Sequence, residues 1–228
     1  MSKTGRTIVI GDVHGCSNTL DKLLDDVCEI NIDDTLIFLG DYIDRGPHPK
    51  AVVDRILNLR KAGFDVITLR GNHEQMLIDA INQPKSLRNW LRNGAQSTLD
   101  DFEIMSSGFL DEEYLDFFLN LKMFHLTDDF AITHASFNFD IKNPYSDFHA
   151  MLWTRSSKIN REKIGDRRML VGHTPTPISA IKESLHNDII RLDGGCVYHR
   201  QVKDLGYLCA FDLISKELFY TENCELDS

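Results

Sequence analysis

Short, continuous apolar runs rich in β-branched residues recur along the chain. Runs of this kind are typical of strands that are covered on both faces of a sheet. In the first third of the chain they occupy residues 7–10, 35–39 and 66–69. Later runs of the same kind lie at residues 130–133, 169–171, 189–192, 207–211 and 218–220. We predict a strand at each of these places.

The segments between the first three runs show a helical spacing of apolar residues. In the first segment, apolar side chains recur every three or four positions at Leu20, Leu23, Leu24, Val27 and Cys28. The second segment, after Pro47 and Pro49, repeats much of this spacing. Strands and helices in alternation predict βαβ units and a mainly parallel sheet.

After the third run, the chain shows the apolar spacing of helices over about 50 residues. Residues 73–82 have the apolar spacing of a helix, and residues 84–121 continue with further helical segments. These segments are interrupted near Ser106, Ser107 and Gly108, where small residues disfavour a helix. We therefore expect a helical excursion, at about residues 82–125, that flanks the strand-forming part of the chain.

The remaining runs complete the predicted architecture. The short connection at residues 215–216 predicts a hairpin between the last two strands. We expect an α/β fold in which two mixed β-sheets pack as a sandwich flanked by helices. Neither a linker nor an internal repeat is visible, so we expect one domain over residues 1–228.

Composition and charge limit the classes of partner. A chain of 228 residues can bury a substantial core. Its formal net charge of -10 argues against broad binding to nucleic acid or to an anionic membrane. No stretch is apolar for long enough to span a bilayer, and no signal peptide is visible before the first strand. The five cysteines lack CxxC spacing, which favours a reducing, cytoplasmic location.

Three short motifs end the first three predicted strands and open the helices that follow. They are Gly-Asp-Val-His-Gly at 11–15, Gly-Asp-Tyr-Ile-Asp-Arg-Gly at 40–46 and Gly-Asn-His-Glu at 71–74. In parallel sheets, ligands bind outside the carboxyl ends of the strands, where all three motifs lie. Each motif supplies oxygen or imidazole ligands. Together they indicate a two-metal site for splitting phosphate esters.

Two later histidines extend this set. His134 directly follows the strand predicted at 130–133, and His173 follows Gly172 after the strand predicted at 169–171. Both histidines therefore lie at strand ends, as the three motifs do. The other histidines lack this setting and are interpreted as surface polar groups; they are His48, His125, His149, His186 and His199.

This set of motifs resembles the metallophosphoesterase superfamily and, within it, the phosphoprotein phosphatase family of serine/threonine phosphatases, including small bacterial and phage members. The resemblance covers most of the chain and implies the calcineurin-like fold. It also implies two divalent metal ions that share one bridging carboxylate. The implied ligands of the first ion are Asp12, His14 and Asp41, and those of the second are Asp41, Asn72, His134 and His173. Manganese suits these donors first, with iron and zinc as alternatives.

The resemblance also implies roles for the polar residues around the metal ligands. His73 would act as the general acid toward the leaving group, and Asp44 would orient it. A guanidinium offers paired donors to phosphate oxygens. The arginines implied to bind the substrate phosphate through their guanidinium groups are Arg45, Arg70 and Arg155. Glu74 is interpreted as a carboxylate that stabilises the start of a helix, outside the catalytic set.

The predicted activity is metal-dependent hydrolysis of a phosphomonoester in a phosphorylated protein or a small molecule. A serine/threonine protein phosphatase is preferred because Asp44 is present, whereas relatives that hydrolyse dinucleoside polyphosphates typically lack this carboxylate. Diadenosine polyphosphate hydrolysis and broad-specificity hydrolysis of small phosphoesters stay open as alternatives. An inactive binding module is disfavoured because it would not need the acid His73. No nucleic-acid or membrane partner is expected, and the oligomeric state is unknown.

Overall fold

The computed structural model of the chain describes residues 5–104 and 110–225. Within these residues the strands form two sheets. In chain order the strands are β1 (Thr7–Ile10), β2 (Thr35–Phe38), β3 (Asp65–Thr68), β4 (Phe124–Leu126), β5 (Phe130–Thr133), β6 (Arg168–Val171), β7 (Ile189–Arg191), β8 (Tyr207–Asp212) and β9 (Leu218–Glu222).

Both sheets are mixed. The first has the strand order β3-β2-β1-β8-β9, in which β1, β2 and β3 are parallel and β8 and β9 are antiparallel to their neighbours. The second has the order β4-β5-β6-β7, in which β5, β6 and β7 are parallel and β4 is an antiparallel edge strand. The parallel strands of each sheet end on the same side, so the loops that follow them are neighbours.

Helices connect and cover the strands. In chain order they are α1 (Ser17–Asp21), which continues as a π-helix (Lys22–Val27), then α2 (Pro49–Lys61), α3 (Asn72–Asn82), α4 (Leu87–Arg92), α5 (Gln96–Asp101), α6 (Glu112–Leu119), α7 (Phe148–Trp153) and α8 (Ile178–Ser184). Short 3-10 turns lie at Pro84–Ser86, Pro144–Ser146, Arg161–Ile164 and Cys196–Tyr198. Among residues 5–104 and 110–225, no helix combines the length and the apolar character that a membrane span requires.

The core has three layers because successive strand residues face opposite sides of a sheet. Val9 and Ile37 of the first sheet belong to one apolar cluster with Ile132 and Leu170 of the second sheet. The opposite faces of β1 and β2 pack against α1, α2, α3 and the excursion helices. The outer face of the second sheet is covered by a smaller cluster that includes Met151. Both faces of the central strands are therefore buried, as their continuous apolar runs predict.

The predicted fold class, two mixed sheets with flanking helices, is confirmed. Each predicted strand is present with ends shifted by at most two residues, and β8 and β9 form the predicted hairpin. β4 was not predicted, because it is a three-residue, half-buried edge strand with little apolar signal. The predicted helix at residues 20–28 begins earlier, at Ser17, and changes to a π-helix after Asp21. The predicted interruption near residues 106–108 lies outside the described residues.

Candidate active site

The predicted ligands lie in sharp loops after the strands. His14, Asp41 and His173 all have positive φ, between 47° and 63°. Aspartate and histidine adopt this left-handed conformation more readily than most other residues, and it turns the chain abruptly after a strand. The loops also approach one another closely: a Cβ placed on Gly40 would lie 2.5 Å from the backbone nitrogen of Gly71. The glycines that begin the second and third motifs, Gly40 and Gly71, are therefore in close contact.

Asp41 lies at the centre of the cluster. Its Oδ2 is 3.4 Å from Nε2 of His14, and its Oδ1 is 3.5 Å from Nε2 of His134. Asp41 belongs to two sets of three potential ligand residues, and within each set the ligand atoms lie within 4.8 Å of one another. One set contains His14 and His73, and the other contains His134 and His173. Asp41 is therefore common to both sets, whereas the first set contains His73 in place of the predicted Asp12; the bridging role of Asp41 stays a prediction.

The side-chain amide of Asn72 lies beside the second set. Its Oδ1 lies 3.0 Å from Nε2 of His134 and 2.8 Å from Nδ1 of His173. The Nδ1–H of His134 donates to the carbonyl of Leu39 at 3.1 Å, which leaves Nε2 with its lone pair toward the cluster. The Nδ1–H of His14 likewise donates to the carbonyl of Ile43 at 2.9 Å. Backbone carbonyls therefore fix both imidazoles in the orientation that a metal ligand needs.

Asp12 is placed at the border of the cluster. Within the described residues it belongs to neither of the two sets of potential ligand atoms. Its Oδ2 accepts a hydrogen bond of 2.8 Å from the backbone N–H of His173, which ties the first motif to a loop of the second sheet. Among residues 5–104 and 110–225, its Oδ1 is buried without a hydrogen-bond partner. A buried carboxylate oxygen without a donor is costly unless a cation or a donor meets it.

Protonation states in the cluster suit metal binding. Burial lowers the pKa of His14 and His134, and burial beside His134 lowers the pKa of His173 to about 3, so all three imidazoles are neutral near pH 7. Burial favours the protonated form of Asp41, but the surrounding histidines outweigh it and lower the pKa. Neutral imidazoles and ionised carboxylates are the ligand forms, and Asp12, whose pKa is raised by burial, would lose its proton on binding a cation. The residues present therefore fit a dinuclear metal centre of divalent ions.

His73 and Asp44 form a buried pair beside these ligands. Nδ1 of His73 lies 2.5 Å from Oδ2 of Asp44, and neither side chain is more than 1% exposed. Burial alone would lower the pKa of His73, but the charges of Asp41 and Asp44 outweigh it and raise the pKa. Nε2 of His73 is buried and has no hydrogen-bond partner in the part of the chain that the structure describes. The ring therefore keeps one nitrogen for Asp44 and presents the other to the cluster.

Two of the arginines predicted to bind phosphate line the same cavity. This cavity has a volume of about 300 Å³, and its wall includes Arg45 and Arg155 together with Asp41, Asn72 and His173. Nη1 of Arg45 donates to Nε2 of His14 at 2.6 Å. The aromatic residues of this wall are Trp153 and Tyr198. A small cavity that joins two guanidinium groups to the ligand cluster has the chemistry of a phosphate site.

The structure does not bring Arg70 to this cavity. Its guanidinium donates to Oε1 of Gln75 at 3.0 Å and to the carbonyl of Leu119 at 3.0 Å. A longer contact of 3.5 Å reaches the carbonyl of Phe118. These carbonyls belong to the end of α6, where a cation is favoured by the helix dipole. In this arrangement the side chain stabilises the contact between α3 and the excursion.

Sequence reasoning missed the role of Glu74. This carboxylate is fully buried and accepts hydrogen bonds from the backbone N–H groups of Asp41 (2.9 Å), Tyr42 (2.8 Å) and Gly71 (2.9 Å), with a longer one of 3.4 Å from Ile43. It therefore shapes the second motif loop in addition to capping α3. The glutamate three residues after Gly71 is a capping-box position, and that was the only local signal.

Sequence reasoning also missed the buried carboxylate of Asp193. It is 3% exposed and accepts a hydrogen bond of 2.8 Å from the backbone N–H of Gly195. Burial and the charge of Asp41 raise its pKa to about 7, and its own charge contributes to the raised pKa of Asp12. Its only sequence signal is its place two residues after the strand that ends at Arg191.

Comparison with known proteins agrees with this geometry. The family model described as calcineurin-like phosphoesterase matches residues 5–210. Serine/threonine-protein phosphatase 1 of Salmonella typhimurium is 31% identical over 175 residues, which cover 73% of this chain and 77% of that protein. The asymmetrical bis(5'-nucleosyl)-tetraphosphatase PrpE of Anoxybacillus flavithermus is 25% identical in an alignment that covers 87% of this chain and 89% of that protein.

Solved structures show the same fold. A protein serine/threonine phosphatase from Saccharomyces cerevisiae with similarity to human phosphatase PP5 has a TM-score of 0.64 at 14% identity, over 100% of this chain and 82% of that chain. The fold and the ligand cluster define a metal-dependent phosphoesterase. The chain belongs to the calcineurin-like phosphoesterase family.

Proposed function

We propose that this protein is a serine/threonine protein phosphatase that hydrolyses phosphomonoesters with two divalent metal ions. The observation that carries the proposal is the buried Asp44–His73 pair, 2.5 Å apart, beside the ligand cluster. A phosphoserine leaves as an alkoxide of high basicity, and such a leaving group needs a proton from a positioned acid. A carboxylate-bound imidazole with a free Nε2 is suited to that task.

The metal ions would be held by the residues of the cluster. Those proposed for the first ion are Asp12, His14 and Asp41, and those proposed for the second are Asp41, Asn72, His134 and His173. Bound metal ions supply Lewis-acid polarisation of phosphoryl oxygens and a water acidic enough to react near neutral pH. Hard oxygen donors mixed with imidazole favour manganese, and iron or zinc would suit the same donors.

The arginines of the cavity would bind the phosphoryl group. Arg45 and Arg155 line the same cavity as Asp41 and Asn72, so both cations are available to a phosphoryl group bound there. Guanidinium groups donate paired hydrogen bonds to phosphate oxygens and neutralise their charge. In a protein with a net charge of -10, these local cations would offset the repulsion of an anionic substrate.

His73 would transfer the proton to the leaving oxygen. Its Nδ1 is engaged by Asp44, which fixes the ring, so the proton available for transfer is the one on Nε2. The raised pKa keeps a larger share of His73 protonated near neutral pH than an isolated imidazole would have. A positioned acid of this kind contributes roughly 10²- to 10⁴-fold to the rate.

Hydrolysis of a dinucleoside polyphosphate is a second candidate. It is supported by the likeness to the PrpE tetraphosphatase, which extends over 89% of that protein. The cavity wall also carries Trp153 and Tyr198, whose rings offer faces on which a base could stack. Against it, a nucleotide leaves as a phosphate anion of low basicity, so it has less need of the Asp44–His73 acid.

A direct comparison of substrates tests the proposal. We expect kcat/KM for a phosphoserine peptide to exceed that for diadenosine tetraphosphate by about tenfold or more when manganese is supplied, because only the alkoxide depends strongly on the acid. The Asp41→Asn variant, prepared identically, measures contaminating phosphatase. Suppose the parent prefers the dinucleotide and this activity is lost in Asp41→Asn. That result would overturn the proposal of a protein phosphatase and favour dinucleoside polyphosphate hydrolysis.

A further inference from the structure

Part of the helical excursion is in direct contact with the second motif. Residues 90–98, from the end of α4 to the first turns of α5, contact both Asp44 and Arg45. Trp90 and Thr98 are 2% and 0% exposed, so both contacts with Asp44 lie in the protein interior. We call residues 90–98 the clamp segment.

The clamp segment supplies most of the hydrogen bonds to the Asp44 carboxylate. Nε1–H of Trp90 donates to Oδ2 at 2.7 Å, beside the 2.5 Å contact of that oxygen with His73. The hydroxyl of Thr98 donates to Oδ1 at 2.6 Å. Both carboxylate oxygens are therefore bonded, and the plane of the carboxylate is fixed by donors on two sides. A fixed carboxylate plane in turn fixes the ring of His73.

The contact with Thr98 is reciprocal. The same hydroxyl accepts a hydrogen bond of 2.9 Å from the backbone N–H of Asp44. A threonine hydroxyl has one hydrogen to donate, and here it is given to Oδ1 of Asp44. The backbone and the side chain of Asp44 are thus both held by a single group. Valine has the same shape and could keep the packing, but it could make neither bond.

The backbone at Asp44 and Arg45 needs support. Both residues have φ of 70°, a left-handed conformation that costs free energy for a residue with a Cβ. The carbonyl of Gly94 accepts a hydrogen bond of 3.0 Å from the N–H of Arg45. A Cβ on Gly94 would lie 2.7 Å from Cγ of Arg45, so only glycine permits this approach. The clamp segment therefore holds the backbone as well as the carboxylate.

We propose that Trp90 and Thr98 are positioning residues for the general acid: their hydrogen bonds orient Asp44, and Asp44 orients His73 toward the leaving oxygen. The proposal rests on the acid role of His73 in the proposed function. It assigns to the helical excursion a part in the reaction, whereas an apolar helix packed on the sheet would need no donor aimed at Asp44. Packing alone would be served equally well by phenylalanine and valine.

The test compares two substrates that differ in leaving-group basicity and little in size. Phenyl phosphate has the more basic leaving group and needs the acid, whereas 4-nitrophenyl phosphate needs it less. We expect Trp90→Phe and Thr98→Val each to lower kcat on phenyl phosphate by about tenfold, and on 4-nitrophenyl phosphate by less than about threefold. Thr98→Ser, which keeps the hydroxyl, should stay within about twofold of the parent on both.

A spectroscopic readout on the metal-free protein of residues 1–228 avoids dependence on bound metal. The proton on Nδ1 of His73, in a short bond to a carboxylate, should give a far-downfield proton resonance. Asp44→Asn identifies this resonance by removing it. We expect the resonance to move upfield or to exchange faster in Trp90→Phe and Thr98→Val, and to be retained in Thr98→Ser. Thr221→Val, a buried threonine in β9, is the matched control and should leave it unchanged.

The outcomes separate this proposal from the proposed function. A selective loss on phenyl phosphate together with a displaced His73 resonance supports the proposal, whichever natural substrate is preferred. An equal loss on both aryl phosphates with an unchanged resonance would show that the clamp segment is only structural. Failure to hydrolyse a phosphoserine peptide would instead overturn the proposed function, and the comparison of the aryl phosphates would still be decisive. Each variant must give the same circular dichroism spectrum as the parent, which shows that it is folded.

Discussion

The two sides of the active site use their lone pairs in opposite ways. On the ligand side, which comprises Asp12, His14, Asp41, Asn72, His134 and His173, acceptor atoms of His14, Asn72, His134 and His173 lie around Asp41, and Oδ1 of Asp12 has no hydrogen-bond partner among the described residues. On the acid side, which comprises Asp44, His73, Trp90 and Thr98, both oxygens of the carboxylate are bonded to donors. The first arrangement is suited to cations, and the second is suited to holding one proton donor in place.

The difference also concerns where the residues come from. The ligand side is built from loops after β1, β2, β3, β5 and β6, so it depends on the sheets. The acid side takes Asp44 and His73 from the segments after β2 and β3 and adds Trp90 and Thr98 from α4 and α5, which lie outside the sheets. We infer that metal binding and acid catalysis are separable by mutation, even though Asp41 and His73 are neighbours. The variants below are chosen to break or to sharpen that separation.

The largest effect is expected for Asp41→Asn. The amide is neutral and cannot replace a carboxylate that is shared between the two sets of ligands, so both metal ions should be lost or bound weakly. Because the metal ions supply several kcal/mol of transition-state stabilisation, we expect kcat to fall by about 10³-fold or more. Elemental analysis after dialysis measures the metal content, and unchanged content would contradict the bridging role.

His73→Asn should break the acid side and leave the ligand side intact. We expect kcat on a phosphoserine peptide to fall by about 10²- to 10⁴-fold, while the metal content equals that of the parent. His186→Asn is a control because His186 is an exposed histidine in the turn after α8. Full activity of the His73 variant on the peptide would remove this residue from the mechanism.

Glu74→Gln should weaken both sides by a moderate amount. The carboxyl group of Glu74, whose pKa burial raises to about 7, accepts four backbone N–H groups here, and a glutamine amide would turn two of its own hydrogens toward some of them. Each N–H left without an acceptor costs about 1–3 kcal/mol, so urea unfolding should show a loss of that order and manganese should bind more weakly. The control is Glu113→Gln, at an exposed ion pair with Lys61, and equal losses in the two variants would contradict the role of Glu74.

The smallest effect concerns pH. The pKa of His173 is lowered to about 3 by burial and by His134, whereas an imidazole in the unfolded chain has a pKa of about 6.5. Between these values the unfolded state binds more protons, so His173 makes the metal-free protein less stable as pH falls. We expect the urea midpoint to decrease more from pH 7 to pH 5 in the parent than in His173→Asn. Equal decreases would contradict a buried, neutral His173.

The ligand side could be predicted from sequence because its signals are local. An apolar run followed by glycine and a ligand-bearing residue specifies a strand end, and parallel strands bring such ends together. Asp41 and Asn72 are found in this way without knowledge of the packing, and His134 is found because it directly follows its strand. Even the positive φ of Asp41 is foreseeable from its place in a sharp turn after Gly40.

The rest of the site depends on contacts between segments that are distant in sequence. Nothing in the helical spacing of α4 and α5 indicates that Trp90 and Thr98 point at Asp44, which lies 46 and 54 positions earlier. Arg70 was expected at the phosphate, but α6 offers it carbonyl acceptors nearby. The second role of Glu74 likewise appears only when the loop at Asp41 is placed over α3.

The most direct test of the metal centre is the electron paramagnetic resonance spectrum of the manganese-loaded protein. If Asp41 joins two manganese ions, the spectrum should show the multiline pattern of a spin-coupled pair, and Asp41→Asn should abolish it. A spectrum of one isolated manganese ion in the fully loaded parent would contradict the dinuclear centre from which the proposed activity is derived.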